Sequence, residues 1–460
     1  MPSAAQVVEL FDPVAVILLL TTVVVFAIPV FILFPPIPVE RSDALQQTHT
    51  KVGIAPSHSN LRTQTSPDHS HQPGKAARIQ SLFIYPVKSC RGIEVDRSRV
   101  LPKGLEFDRL FAFARQKPEA RDAAVLSGKE GQEGEEGARR AAQWEVLTLR
   151  QVPLLANVQV DLWLPDAGKT SRQLGRVGGR FIVIRFPWRD SGLRGVVQWI
   201  SAKLSRGIAG IPEKEFMLSI DFPSPEEIKA AGYCYGDARL FSKTIHALNL
   251  RNEVPPELGL YLGVTAPVTI FMIDPARRRE VMRNAPRKED AGYQPVIDFQ
   301  DAYPLHLLNL TSVRALESKV QKDQDLEFLD ARRFRPNIIV SGLKAYDEDD
   351  WRSIEFSRPF QGDAAKGSES PSRFDVSCRT VRCKLPNVDP ATGIKHKAEP
   401  DRSLRKFRNI DEGAPKSGCF GMQLCPIFPE TSGPDEGDLA LSLEVGMELK
   451  VLQRGPHLAL

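Results

Sequence analysis

Residues 13–39 read PVAVILLLTTVVVFAIPVFILFPPIPV and carry no charged side chain. An uncharged run of this length fits few places in a folded protein. As a helix rising about 1.5 Å per residue, residues 14–34 reach about 30 Å, the thickness of a bilayer's hydrocarbon core. Pro29 stands near the end of the run and favours a kink there. A secretory signal peptide is the rival reading. The run is long for such a segment, lacks a basic N-terminal flank and shows no small-residue cleavage site. Glu9 and Asp12 precede it, whereas Arg41, Lys51 and Arg62 follow. The excess of cations on the C-terminal side places that side in the cytosol. The sequence thus predicts an N-terminal tail over 1–12 and a single-pass membrane anchor over 13–36.

Residues 37–75 are polar and contain four of the eight histidines, His49, His58, His69 and His71. Their irregular spacing argues for solvated side chains over a metal site, and their composition predicts a disordered tether. A charged, glycine-rich piece over 117–143 reads as an inserted surface loop. Further insertions are expected near 206–260 and 361–372.

The rest is long enough for two folded domains. Sixty-one basic and 57 acidic residues leave a net charge of only +4, so no general footprint for nucleic acid stands out. The six cysteines include no CxxC pair, which argues against structural zinc and for reduced thiols. Short apolar runs between turn signals, among them IQSLFIYPV, GRFIVIRF, APVTIFMI, RPNIIVSG and LSLEVGMELKVL, read as strands. Helices are expected over 196–205 and 310–320, the latter capped by Thr311 or Ser312. The fold class is β-dominated α+β with barrel-like sheets. GxGxxG, Walker, HExxH and GxSxG motifs are all missing.

Three stretches pair cations with short polar donors at strand ends. They are YPVKSCRG with Lys88 and Ser89, GLEFDRLFAFAR with Asp108 and Arg109, and ARRFRPNIIVSG with Arg335 and Asn337. A compact ammonium, planar guanidiniums and neutral donors together suit an anionic, heteroatom-rich ligand. In SCRTVRCKLPNVDPATG, Cys378 and Cys383 lie five residues apart beside Arg379, Arg382 and Lys384. Spacing alone leaves open whether either is a working thiolate or a buried hydrophobe.

In their order, YPVKSCRGIEV, GLEFDR, RFRPNIIVSG and RCKLPNVDPATG resemble the family that joins a MOSC N-terminal β-barrel domain to a MOSC domain, and within it the amidoxime-reducing molybdenum enzymes. The resemblance implies the first domain over 76–285 and the second over 286–458. It implies a pyranopterin molybdenum cofactor held between them, with Cys383 as the protein's ligand to the metal. Lys88, Ser89, Arg109, Ser312, Arg335 and Asn337 match cofactor-binding positions, and Asp389 matches a proton-handling or supporting one. Gln423 stands near a spot where the family often has tyrosine, which puts substrate positioning in doubt. The implied activity is reduction of amidoximes, hydroxylamines and other N-hydroxylated compounds. Electrons would come from cytochrome b5 and its NADH-dependent reductase at the mitochondrial outer membrane. The alternative is a sulfur or cofactor carrier like the C-terminal part of molybdenum cofactor sulfurases. Here only an anchor and a tether precede residue 76, in place of their pyridoxal-phosphate domain.

Overall fold

The structure, a computed structural model, describes residues 13–33, 41–117, 144–170, 178–359, 371–428 and 441–457. The predicted loop over 117–143 and the insertion over 361–372 lie almost wholly outside these residues.

The C-terminal barrel grows from a short parallel core. Strands Leu305–Asn309 and Ile338–Ser341 are buried along their whole length, as continuous apolar runs require. They pair in parallel, with Leu307 opposite Ile338. Parallel neighbours need a crossover, and helix Leu310–Glu317 supplies it. Its N-cap is Asn309 in place of the expected Thr311 or Ser312, and the Asn309 side chain accepts from the Thr311 N–H at 3.1 Å.

From Leu305–Asn309 the sheet continues antiparallel through Cys419–Ile427, Ser372–Val381, Trp351–Ser357 and Glu448–Arg454 to Arg78–Ile84. Arg78–Ile84 then pairs back to Ile338–Ser341 and closes the ring. The strand that opens the predicted N-terminal domain is therefore a stave of the C-terminal barrel.

A second closed barrel contains Phe111–Gln116, Trp144–Val146, Cys234–Leu240, Lys243–Asn249 and Val268–Met272. Beside it lies a four-stranded antiparallel sheet in the order His49–Val52, Gln159–Pro165, Phe181–Pro187 and Glu213–Ser219. Three strands from 206–260, the stretch expected as an insertion, sit inside these sheets as part of the framework. One large apolar cluster runs from Ile79 and Leu82 through Phe113, Ile184 and Ile270 to Trp351 and Phe374, uniting the sheets.

Two sequence expectations need correction. The tether is ordered over 41–75: His49–Val52 pairs with Gln159–Pro165, and Leu45, His49 and Leu61 are buried. A polar segment does not need a core of its own when a finished sheet offers it an edge and a few apolar sockets. His49 bonds Thr48 at 2.8 Å and the Gly179 carbonyl at 3.1 Å. The membrane-spanning anchor is also not met. A helix does form at Pro13–Leu33, and its large apolar side chains from Val14 to Phe26 are exposed. Yet among the described residues no helix is long and apolar enough to cross a membrane.

Candidate functional site

A cavity of about 290 Å³ opens where the two barrels meet. Its wall takes Lys88, Ser89, Arg109 and Arg150 from the first half of the chain and Asp301, His306, Arg335, Asn337, Arg382, Cys383 and Gln423 from the second.

Behind the wall, two of the lining guanidiniums lie over the buried Tyr85 ring, Arg335 at 4.2 Å and Arg109 at 4.9 Å from its centroid. Arg109 and Arg335 both adopt left-handed backbone, φ +53° and +51°, as does Ser89 at +69°. Non-glycine residues seldom do so, and three at one cavity mark a constrained site. Asp108 holds this cluster in place: it accepts the Tyr85 N–H at 2.8 Å and pairs with Arg109. Burial opposes the Arg109 charge, but Asp108 overrides it and lifts the pKa. Arg335 has no carboxylate partner of that kind. It donates to the Cys90 carbonyl at 2.7 Å, and burial pulls its pKa down to about 10. Its Nη2 is buried without a hydrogen-bond partner, as are Arg379 Nε and Thr380 Oγ1 in the same wall. Orphaned donors at this density are costly unless a ligand with acceptor atoms meets them.

Asn337 ties the halves together. Its Oδ1 accepts from Arg109 at 3.3 Å and from the His306 N–H at 3.2 Å, while its Nδ2 donates to the Phe83 carbonyl at 3.2 Å. Lys88 is buried, donates to the Phe299 carbonyl at 2.7 Å and pairs with Asp301. Burial lowers its pKa, and Asp301 opposes that shift. Ser89 Oγ accepts the Leu149 N–H at 3.3 Å. His306 is driven well below its ordinary pKa by burial and by Arg382 and Arg109, so it is a neutral imidazole. Arg382 donates to the Phe334 carbonyl at 2.8 Å. Burial lowers its pKa to about 10, and Cys383 acts in the opposite direction.

The two thiols differ in kind. Cys383 is exposed at the cavity, just past the end of strand Ser372–Val381. Cys378 is fully buried in that strand, and burial pushes its thiol up to about 12. Only Cys383 has the access a metal ligand needs. Among the described residues no group of three or more His, Cys, Asp or Glu forms a metal site. A metal here must bring most of its ligands with it.

Six of the sequence-predicted positions, Lys88, Ser89, Arg109, Arg335, Asn337 and Cys383, line this one cavity. Ser312 does not. It lies buried in the first turn of the crossover helix, donates to Glu348 at 3.0 Å and accepts the Tyr346 N–H at 2.8 Å, so its hydroxyl is spent within the protein. Asp389 is also outside. Its Oδ1 accepts from the Ala391 and Thr392 N–H groups at 2.9 Å each, and its Oδ2 pairs with the buried Arg333 at 2.7 Å. It organises a turn. Sequence reasoning missed Tyr85, Asp301 and His306. Only Tyr85, inside a quoted motif, had a signal to follow.

Residues 294–448 match the MOSC domain and residues 76–170 the MOSC N-terminal beta barrel domain. This is a MOSC-domain protein. The MOSC protein is 24% identical over 360 residues to mitochondrial amidoxime reducing component 2 of Rattus norvegicus, spanning 77% of this chain and 81% of the relative. It is 22% identical to the human protein of the same name over 333 residues, 72% and 73% of the two chains. Against mitochondrial amidoxime-reducing component 1 of Xenopus laevis, identity is 30% over 177 residues, 38% of this chain and 46% of the relative.

Proposed function

We propose that the protein is a molybdenum-cofactor oxidoreductase that reduces N-hydroxylated compounds such as amidoximes and hydroxylamines. The observation that supports it most is the cavity wall, which brings orphaned guanidinium donors and an accessible thiol into one site. Donors of that kind fit a phosphorylated, heteroatom-rich pterin. A lone thiol fits a metal that arrives with sulfur ligands of its own.

When bound, the cofactor supplies the two-electron chemistry that takes oxygen from nitrogen and releases it as water. The protein's residues bind and orient. Lys88, Arg109 and Arg335 neutralise the anionic end, Asn337 and Ser89 fix its position, and Cys383 ligates the metal. His306 stays neutral and lines the cavity without adding charge, and Gln423 occupies the wall where a substrate would be positioned.

Electrons come from outside the chain, from cytochrome b5 and its NADH-dependent reductase. The apolar helix Pro13–Leu33 attaches the protein to the mitochondrial outer membrane with its C-terminal part in the cytosol. Its exposed side chains support that reading. Flotation with vesicles, lost in Leu19→Arg/Val24→Arg, tests the attachment.

The test of the central reading is elemental analysis of the full chain purified from cells that make the cofactor, beside Cys383→Ala and Cys378→Ala. About one molybdenum per chain is expected in the parent. Cys383→Ala should keep pterin but lose reductase activity, while Cys378→Ala keeps both. A metal-free parent, or an active Cys383→Ala, sinks the assignment.

A further inference from the structure

The helix Gly192–Arg206 is packed the wrong way round for a soluble protein. Leu193, Val196, Val197 and Ile200 recur at the spacing of one helical face, which ordinarily marks the side turned to the core. Here that face is turned to solvent: Leu193 is 86% exposed, and Val196, Val197 and Ile200 are each more than 40% exposed. Among the described residues of the helix, Gly195 and Ala202 are the buried ones. Trp199 is exposed beside them, with the Lys203 ammonium 5.8 Å from its ring. Ile208, 92% exposed, and Ile211 extend the apolar surface into the next loop.

Charge narrows the choice of occupant. Residues 191–212 hold Arg194, Lys203 and Arg206 and no acidic residue, and of the three Arg206 pairs with Glu213 just beyond. A basic helix with an outward apolar stripe and an interfacial tryptophan suits an anionic lipid surface better than a mixed-charge protein face. The chain path agrees. Arg41–Leu45, the first element after the apolar N-terminal helix, is seated on strand Glu213–Ser219, which directly follows this loop: Ser42 bonds Glu215 through both N–H and hydroxyl at 3.0 Å. Residues 34–40 can span at most about 28 Å. The end of the apolar helix is thereby tied to the neighbourhood of the exposed stripe.

We infer that helix Gly192–Arg206, with Ile208 and Ile211, lies flat in the headgroup region of an anionic membrane, as a second contact that fixes the tilt of the barrels. This deepens the attachment proposed above and rests on it for geometry only.

The test uses the full chain on vesicles containing brominated phosphatidylcholine, with and without about a third anionic phospholipid. Bromine quenches tryptophan at short range, and Trp199 is the most exposed of the described tryptophans. Quenching is expected in the parent, absent in Trp199→Phe, and reduced several-fold in Leu193→Glu/Ile200→Glu and by high salt. Flotation without quenching of Trp199 overturns the docking and leaves the attachment intact. Flotation and quenching that both persist in Leu19→Arg/Val24→Arg overturn the attachment alone. Neither signal overturns both. A lipid-independent dimer broken by Leu193→Glu/Ile200→Glu also overturns the docking, in favour of a second copy of the chain.

Discussion

Six free cysteines offer a direct reading of which side chains are available for chemistry. Cys234 and Cys383 are exposed, while Cys90, Cys378, Cys419 and Cys425 are buried. Burial lifts the thiols of Cys90 and Cys378 to about 12 and that of Cys419 to about 11, and raises that of Cys425 as well. A thiol reagent at neutral pH should therefore label two positions in the native protein and six after unfolding, counted by mass spectrometry. Cofactor loading should remove Cys383 from the native pair. Glu348 gives a second residue-level test. It sits beneath the crossover helix, accepting from Asn309 at 2.8 Å and Ser312 at 3.0 Å, and burial raises its pKa to about 7. A carboxyl that prefers its proton in the folded state stabilises most below its unfolded pKa. That contribution fades as pH rises from about 4.5 through 7. The swing is roughly 3 kcal/mol, from about 1.4 kcal/mol per pKa unit. Glu348→Gln should flatten the pH dependence of urea unfolding in that window.

At the scale of elements, strand Cys419–Ile427 depends on one residue. Gly421 has φ +79°, and a Cβ there would run into the His306 ring and the Leu307 carbonyl on the neighbouring strand. Gly421→Ala should cost at least about 2 kcal/mol of stability, read as a lowered denaturant midpoint. It should also weaken ligand binding by displacing His306. The elements themselves were largely legible: the quoted apolar runs became strands, and helix 196–205 appeared within Gly192–Arg206. What could not be read was anything that depends on partners distant in sequence. The 41–75 segment looked disordered because its own composition cannot fund a core, yet His49–Val52 borrows a sheet edge more than a hundred residues away. Ser312 and Asp389 matched family positions, but whether such a hydroxyl or carboxylate is free depends on Glu348 and Arg333, which nothing in the local sequence announces. Spacing alone left Cys383 and Cys378 equivalent; the resemblance singled out Cys383, and burial sets Cys378 apart from it.

For the molecule as a whole, the cavity draws on both barrels, so a ligand bound there should stabilise the whole chain. A thousandfold excess over Kd contributes about 4 kcal/mol, which should raise the melting temperature by several degrees over the cofactor-stripped protein. Arg109→Ala and Arg335→Ala should each abolish most of that increment, although they come from opposite halves of the sequence. An increment lost in only one of them would mean that one half alone grips the ligand.

The closure of the C-terminal barrel by Arg78–Ile84 also sets an order of events during synthesis. That strand finds a local neighbour in Ile93–Val95 along part of one edge, but the rest of that edge waits for Glu448 and the opposite edge for Ile338–Ser341. At about 5–20 residues per second, the wait on the ribosome is on the order of tens of seconds. Throughout that interval an apolar edge is open to any nascent chain nearby, and this protein should lean on chaperones that shield such edges until its last strand emerges.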